Sequence, residues 1–260
     1  MNTSPPPLHP IEASALHARR ERVFLVVSGL FLGSLTMLNV LGLTRFIDLS
    51  FTLFGVHIPM PLAVGVLPYP VTFLCTDIIS EVYGRKRASN VVWMGFVLNI
   101  WVALILWLGG AAPPNVPIDP ATGLPPYGEH GRVFFEVQHL AFGAIAASMA
   151  AYLVAQLADV HLFHFWKRLT KGKHLWLRNN ASTMLSQWVD SFVVITVTHF
   201  YAKGLPIEES EAIWPQIMTF VISGYVFKVF CAAVDTLPFY LCVRWLRDYL
   251  EIDPNAELDA

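Results

Sequence analysis

Asp77 and Glu81 stand four residues apart in a stretch otherwise apolar enough for a membrane. On a helix they would share one face. Gln187 and Asp190, and farther on Lys228 and Asp235, also interrupt long apolar runs. Carboxylates at such places can accept bonds from a ligand rich in N–H donors, hold a cation, or carry a proton. The lysine can neutralise Asp235, Asp190 or Glu81. A charge at the centre of a membrane helix costs about 2.5–3.5 kcal/mol on insertion scales, so such residues normally face a partner or a cavity.

Two matching polar stripes add candidates. Ser148, Tyr152, Gln156 and Asp159 follow the spacing i, i+4, i+8 and i+11, and so do Asn179, Thr183, Gln187 and Asp190. Each set lies on one helical face. Ser148 and Tyr152 read as glue between helices. Asp159 reads equally as a solvated acid at the membrane edge. Glu81 has a bland alternative too, a contact with Arg85 one turn on. The candidate substrate-binding set is therefore Asp77, Glu81, Gln156, Asn179, Thr183, Gln187, Asp190, Lys228 and Asp235. Phe73, Tyr83, Trp188, Phe227 and Tyr240 lie close to it in sequence, and one or two of them could stack on a planar ligand.

Other chemistries find little support. There is no H-E-x-x-H, G-x-S-x-G or Walker sequence. Cys75, Cys231 and Cys242 are widely spaced in apolar stretches and read as small buried hydrophobes. His161 and His164 fall in a basic loop and read as loop histidines, not metal ligands. No catalytic residue, metal or cofactor is expected.

The elements that must position these groups follow from composition. Of 260 residues, 55% are hydrophobic and 14% charged, against about a quarter charged in an average soluble domain. That excludes an ordinary soluble enzyme and a disordered chain. The net charge of -2 gives no sign of a nucleic-acid partner. Six segments approach the 20 or so apolar residues that a bilayer crossing needs: Val23–Phe46, Leu62–Tyr83, Ala88–Gly109, Phe134–Ala158, Ala181–Tyr201 and Trp214–Leu246. The first is too long for the apolar part of a signal peptide and reads as an uncleaved span.

Lys and Arg orient the chain. With a cytoplasmic N-terminus, the inner pieces carry Arg19, Arg20 and Arg22; Arg85, Lys86 and Arg87; Lys167, Arg168, Lys171, Lys173 and Arg178; and Arg244 and Arg247. Only Arg45, Arg132 and Lys203 lie outside, and Lys228 lies within a span. The expected fold is thus an all-α integral membrane protein, a six-transmembrane-helix bundle with both termini cytoplasmic. Residues 1–22 form a flexible N-terminus, 23–246 a single bundle domain, and 247–260 an acidic tail. Pro113, Pro114, Pro117, Pro120, Pro125 and Pro126 make the long outer loop a stiff connection.

Pro68 and Pro70 predict that the second span is broken, as a kinked span or a re-entrant half-helix. Broken membrane helices are tolerated where they line a cavity, and transporters build sites from them. In this topology Asp77, Glu81, Gln156, Asp159 and Asp235 lie past the midplane toward the cytoplasm. Asn179 and Thr183 start the fifth span on that side, and Asp190 sits near the middle. The expected site is polar, net acidic, and in the inner half of the bundle.

Four words in order carry a resemblance. They are Pro70 to Gly84 (PVTFLCTDIISEVYG), Gln156 to Asp159 (QLAD), Leu175 to Thr183 (LWLRNNAST) running on to Gln187-Trp-Val-Asp190-Ser191, and Lys228 with Asp235-Thr-Leu-Pro238. The chain resembles the queuosine precursor transporter family, also described as putative vitamin uptake transporters, over roughly residues 39–244. Ser191 stands where family members often have Thr, and the proline-rich loop is long. The resemblance implies an importer of 7-deazaguanine bases, the 7-cyano and 7-aminomethyl forms, that feeds tRNA queuosine synthesis. It also implies a multi-pass setting in a bacterial inner membrane. The partners are then the small-molecule base and the lipid bilayer, with no nucleic acid; a homodimer is open.

Three other readings compete. A substrate-binding membrane subunit of an ATP-driven vitamin importer shares the size and span number. An intramembrane aspartyl hydrolase would need paired carboxylates, which Asp77 with Asp190 or Asp235 could supply, but no protease motif surrounds them. A structural membrane protein with buried ion pairs explains Lys228 and Asp235 but not the two prolines beside Asp77. Channel-like, proton-coupled and ATP-assisted routes all fit the sequence.

Overall fold

In the computed structural model, the residues described are 15–112, 120–121, 128–169, 175–208 and 210–252, without the side chains of 53, 85, 128–132, 153, 155–164, 166–169 and 175–183. The molecule is mostly helical: α1 Ala15–Leu41, α2 Tyr69–Tyr83, α3 Arg85–Ala111, α4 Gly128–Leu169, α5 Leu175–Phe200 and α6 Ile213–Leu250. Among the described residues, four helical segments are long and apolar enough to cross a membrane. They are Ala15–Leu41, Lys86–Ala111, Val133–Tyr152 and Ile213–Leu250, with mean hydropathies of 2.0, 2.3, 1.4 and 2.0.

Between α1 and α2 the chain forms two nested antiparallel pairs, which composition and apolar runs alone do not suggest. β1 (Phe46–Asp48) pairs with β4 (Pro61–Ala63), and β2 (Phe51–Leu53) with β3 (Val56–Ile58). Phe54 and Gly55 close the tip with φ of 50° and 80°. A two-residue hairpin loop of this kind needs positive φ at both positions. Ser50 braces the middle: its hydroxyl and N–H donate to Asp48, and its Oγ accepts from Met60 N at 2.9 Å. Those bonds from Ser50 hold the Asp48 carboxyl below its ordinary range.

The expected break at Pro68 and Pro70 takes another form. A 3-10 turn, Val64–Val66, leads into α2, with Pro68 as its N-cap and a proline in its first turn. A proline there removes an N–H that has no helical partner anyway, so these residues begin a helix rather than interrupt one. The turn lies tight against the end of α1. Gly65 N donates to Gly42 O at 3.3 Å, and a Cβ on Gly65 would lie 2.6 Å from Gly42 Cα. Only residues without side chains allow that approach.

α2 is short and central. Thr72, Cys75, Ile78, Ile79 and Val82 form its buried stripe. Cys75 and Ile79 pack with Phe31 of α1 and Val91 of α3, while Ile78 and Val82 pack with Val243, Leu246 and Leu250 of α6. A single residue, Gly84, separates α2 from α3, with φ 84° and ψ 159°. α4 packs along α5, and α5 also meets α6. Asn39 and Asn99 are buried and bonded at 2.9 Å between α1 and α3. In lipid such close packing and polar bonds hold helices together, since burial from water supplies no force there.

Residues 15–22, expected in a flexible terminus, are the opening turns of α1. Arg20 donates to Leu250 O at 2.9 Å and Glu251 O at 2.8 Å, and Arg19 donates to Tyr249 O at 2.9 Å. These bonds satisfy carbonyls that the end of α6 leaves without helical partners. Pro5–Pro7, most of the proline-rich loop and the tail from 253 lie outside the described residues.

Candidate functional site: a cleft between α2, α5 and α6

The face of α2 turned away from its buried stripe carries Tyr69, Phe73 and Asp77, at i, i+4 and i+8. Phe73 and Asp77 open onto a cleft of about 640 Å³. α5 contributes Met184 and Gln187. α6 contributes Lys228, Ala232, Asp235 and Phe239 along one stripe, with Val229, Ala233, Thr236 and Tyr240 beside it. Among the described side chains, four polar or charged candidates therefore meet here: Asp77, Gln187, Lys228 and Asp235. The wall around them is apolar and aromatic, the usual make-up of a small-molecule site.

Lys228 closes one end of the cleft. It is 6% exposed and bonds the Asp190 carboxylate. Its Nζ also lies 5.1 Å from the centre of the Tyr69 ring. Of the three acids that could neutralise this lysine, Asp190 holds it. A buried cation needs such a partner, and the aromatic face adds to the attraction.

The remaining carboxylates are less engaged. Asp77 is exposed where the cleft opens. Asp235 Oδ2 is buried and has no hydrogen-bond partner. Both line the same space. A bare buried acceptor is costly until a donor reaches it.

Glu81 does not join this group. It pairs with Arg247 of α6, both side chains being largely exposed, and does not line the cleft. The Arg85 alternative rests on a side chain outside those described. The side chains of Gln156, Asp159, Asn179, Thr183, His161 and His164 lie outside those described. Among the stacking candidates, Phe73 and Tyr240 line the cleft. Trp188 packs edge-on to Tyr225, with ring centres 5.3 Å apart. Tyr83 packs against Phe24 and donates to Arg20 O at 2.8 Å.

Sequence reasoning missed Tyr69, Phe239, Met184 and Thr236. For Tyr69 a signal existed, its one-turn spacing from Phe73 and Asp77. The prolines on both sides drew attention to the backbone instead.

A family model described as "Putative vitamin uptake transporter" matches residues 63–243. The chain is similar to the "Probable queuosine precursor transporter" of Bacillus subtilis (strain 168), 28% identical over 176 residues, which cover 67% of this chain and 68% of that protein. It is similar to the protein of the same name in Haemophilus influenzae, 26% identical, covering 68% of this chain and 66% of that one. The "Queuosine precursor transporter" of Escherichia coli (strain K12) is 22% identical over 205 residues, 73% of this chain and 78% of its own length. No solved structure matches. All three relatives are named as transporters and none as an enzyme.

Proposed function

The chain belongs to the putative vitamin uptake transporter family, and on that footing we propose that it imports queuosine precursors, the 7-cyano and 7-aminomethyl 7-deazaguanines, by binding the base in the cleft between α2, α5 and α6. The observation that carries this reading is the meeting of Asp77, Gln187, Lys228 and Asp235 around one cleft in otherwise apolar helices.

The chemistry matches the ligand. A guanine-like base offers N1–H and an exocyclic amine side by side, and a carboxylate accepts both, as it does from arginine. Asp77 has the free oxygens for this, whereas Asp190 is taken up by Lys228. Gln187 has the amide to meet the ring carbonyl or a ring nitrogen. Phe73 and Tyr240 flank the opening and suit a planar ring. Asp235 meets the aminomethyl cation or carries a proton. Gln156, Asn179 and Thr183 complete the polar lining in this reading.

In this reading the chain crosses a bacterial inner membrane six times with both ends cytoplasmic, as one bundle over 23–246. In that arrangement α5 makes a full crossing, and the 3-10 turn with α2 makes the short second one. The cleft then lies in the inner half. Support comes from the 13 basic residues at one end of the segments and the pairing of Arg19 and Arg20 with the end of α6 at that same end.

Equilibrium binding to purified protein tests the base contact. Wild type should prefer 7-cyano-7-deazaguanine over the analogue lacking the exocyclic amine by about tenfold or more, the worth of a charge-assisted hydrogen bond. Asp77→Asn should bind both weakly and alike. Unchanged discrimination in Asp77→Asn would remove Asp77 from the site.

A further inference from the structure

On the hairpin side of Lys228 lies a second, smaller cavity of about 90 Å³. Its walls are mostly apolar and come from α1, the hairpin, α4, α5 and α6. Three buried residues on them carry polar atoms with no partner: Asn39 Oδ1, Ser191 Oγ and Thr198 Oγ1. These residues are 1%, 3% and 1% exposed. Buried polar atoms are almost always bonded, so these three orphans, closed off behind the wall of one void, are atoms that a polar occupant would satisfy once the void widens to reach them.

Tyr69 and Lys228 also line this cavity, and Lys228 lines the cleft as well. Lys228, bonded to Asp190 and beside Tyr69, therefore stands between the two voids. The voids differ in character. The cleft offers free carboxylates, while the cavity offers an amide oxygen, hydroxyls and a lysine already neutralised. Such a lining favours an uncharged planar heterocycle with both donors and acceptors, and it disfavours a cation left without a counter-charge.

Size gives the state. A cavity of roughly 150 Å³ admits benzene, so about 90 Å³ holds a few waters and no aromatic ring. The cleft, at about 640 Å³, is open. We propose that the hairpin-side cavity is an outer substrate station, contracted here, that takes the uncharged base before the Lys228–Asp190 pair parts and passes it to the cleft. This rests on the importer reading.

Two variants test it by uptake of labelled 7-cyano-7-deazaguanine into cells unable to make the base. Ser191→Ala with Thr198→Val removes two orphaned atoms without adding bulk, so the protein is expected to fold at least as well as wild type. The station predicts an apparent KM for entry raised about tenfold, with maximal rate retained and binding to purified protein unchanged. Gly224→Phe adds bulk at a cavity-lining position where an added Cβ meets nothing within 4 Å. It should block uptake while purified protein still binds the base. An unchanged KM in the double variant would overturn the station and leave a water-filled void. Normal uptake by Gly224→Phe would overturn it too. Failure of wild type to bind or take up the base would instead defeat the importer reading.

Discussion

At the scale of residues, charge pairing decides which acids are free for a ligand. Asp77, Asp190, Lys228 and Asp235 are legible in the sequence because each interrupts a long apolar run. Their pairing is not, because the lysine had three acids within reach and sequence spacing ranks only those on its own helix. The structure joins Lys228 to Asp190 across α5 and α6, and Glu81 to Arg247 across α2 and α6. A prediction follows for the buried pair. Lys228→Met should lower stability by about 3–5 kcal/mol, because it strands a partly buried carboxylate. Adding Asp190→Leu should recover most of that loss, since two apolar groups can replace a buried ion pair at little cost. Thermal unfolding in a fixed detergent reads both. No recovery in the double variant would mean that the pair does more than neutralise itself.

At the scale of elements, α2 positions the site because it buries one stripe against three helices and turns Phe73 and Asp77 to the cleft. Its extent was partly legible: the prolines marked its boundary, but whether a proline ends, kinks or begins a helix depends on which N–H groups need partners. The nested hairpin was not legible, because strands of three residues are too short for an alternating pattern to stand out. Gly84 is the element-scale weak point. Its φ of 84° and ψ of 159° lie in a region that is essentially restricted to glycine. Gly84→Ala should therefore cost about 1–3 kcal/mol and lower the yield of folded protein. A variant as stable as wild type would show that the α2–α3 junction relaxes without strain.

For the whole molecule, the sequence conveyed class better than assembly. Long apolar helices and a lopsided distribution of Lys and Arg are properties of local composition, so they survive reading in one dimension. The joining of α1 and α6 by Arg19 and Arg20 is not local, and it turns an expected loose terminus into part of the bundle. If both ends are cytoplasmic, reporters fused after Ile252 and within Leu205–Glu208 should report opposite sides of the membrane; the same side for both would refute the topology. The importer claim itself is tested most directly by labelled 7-cyano-7-deazaguanine and cells that can neither make nor otherwise take up the base. Cells expressing this chain should accumulate the base, and cells with Asp77→Asn in the membrane at equal amount should stay at background. Background uptake by wild type, or full uptake by Asp77→Asn, would contradict it.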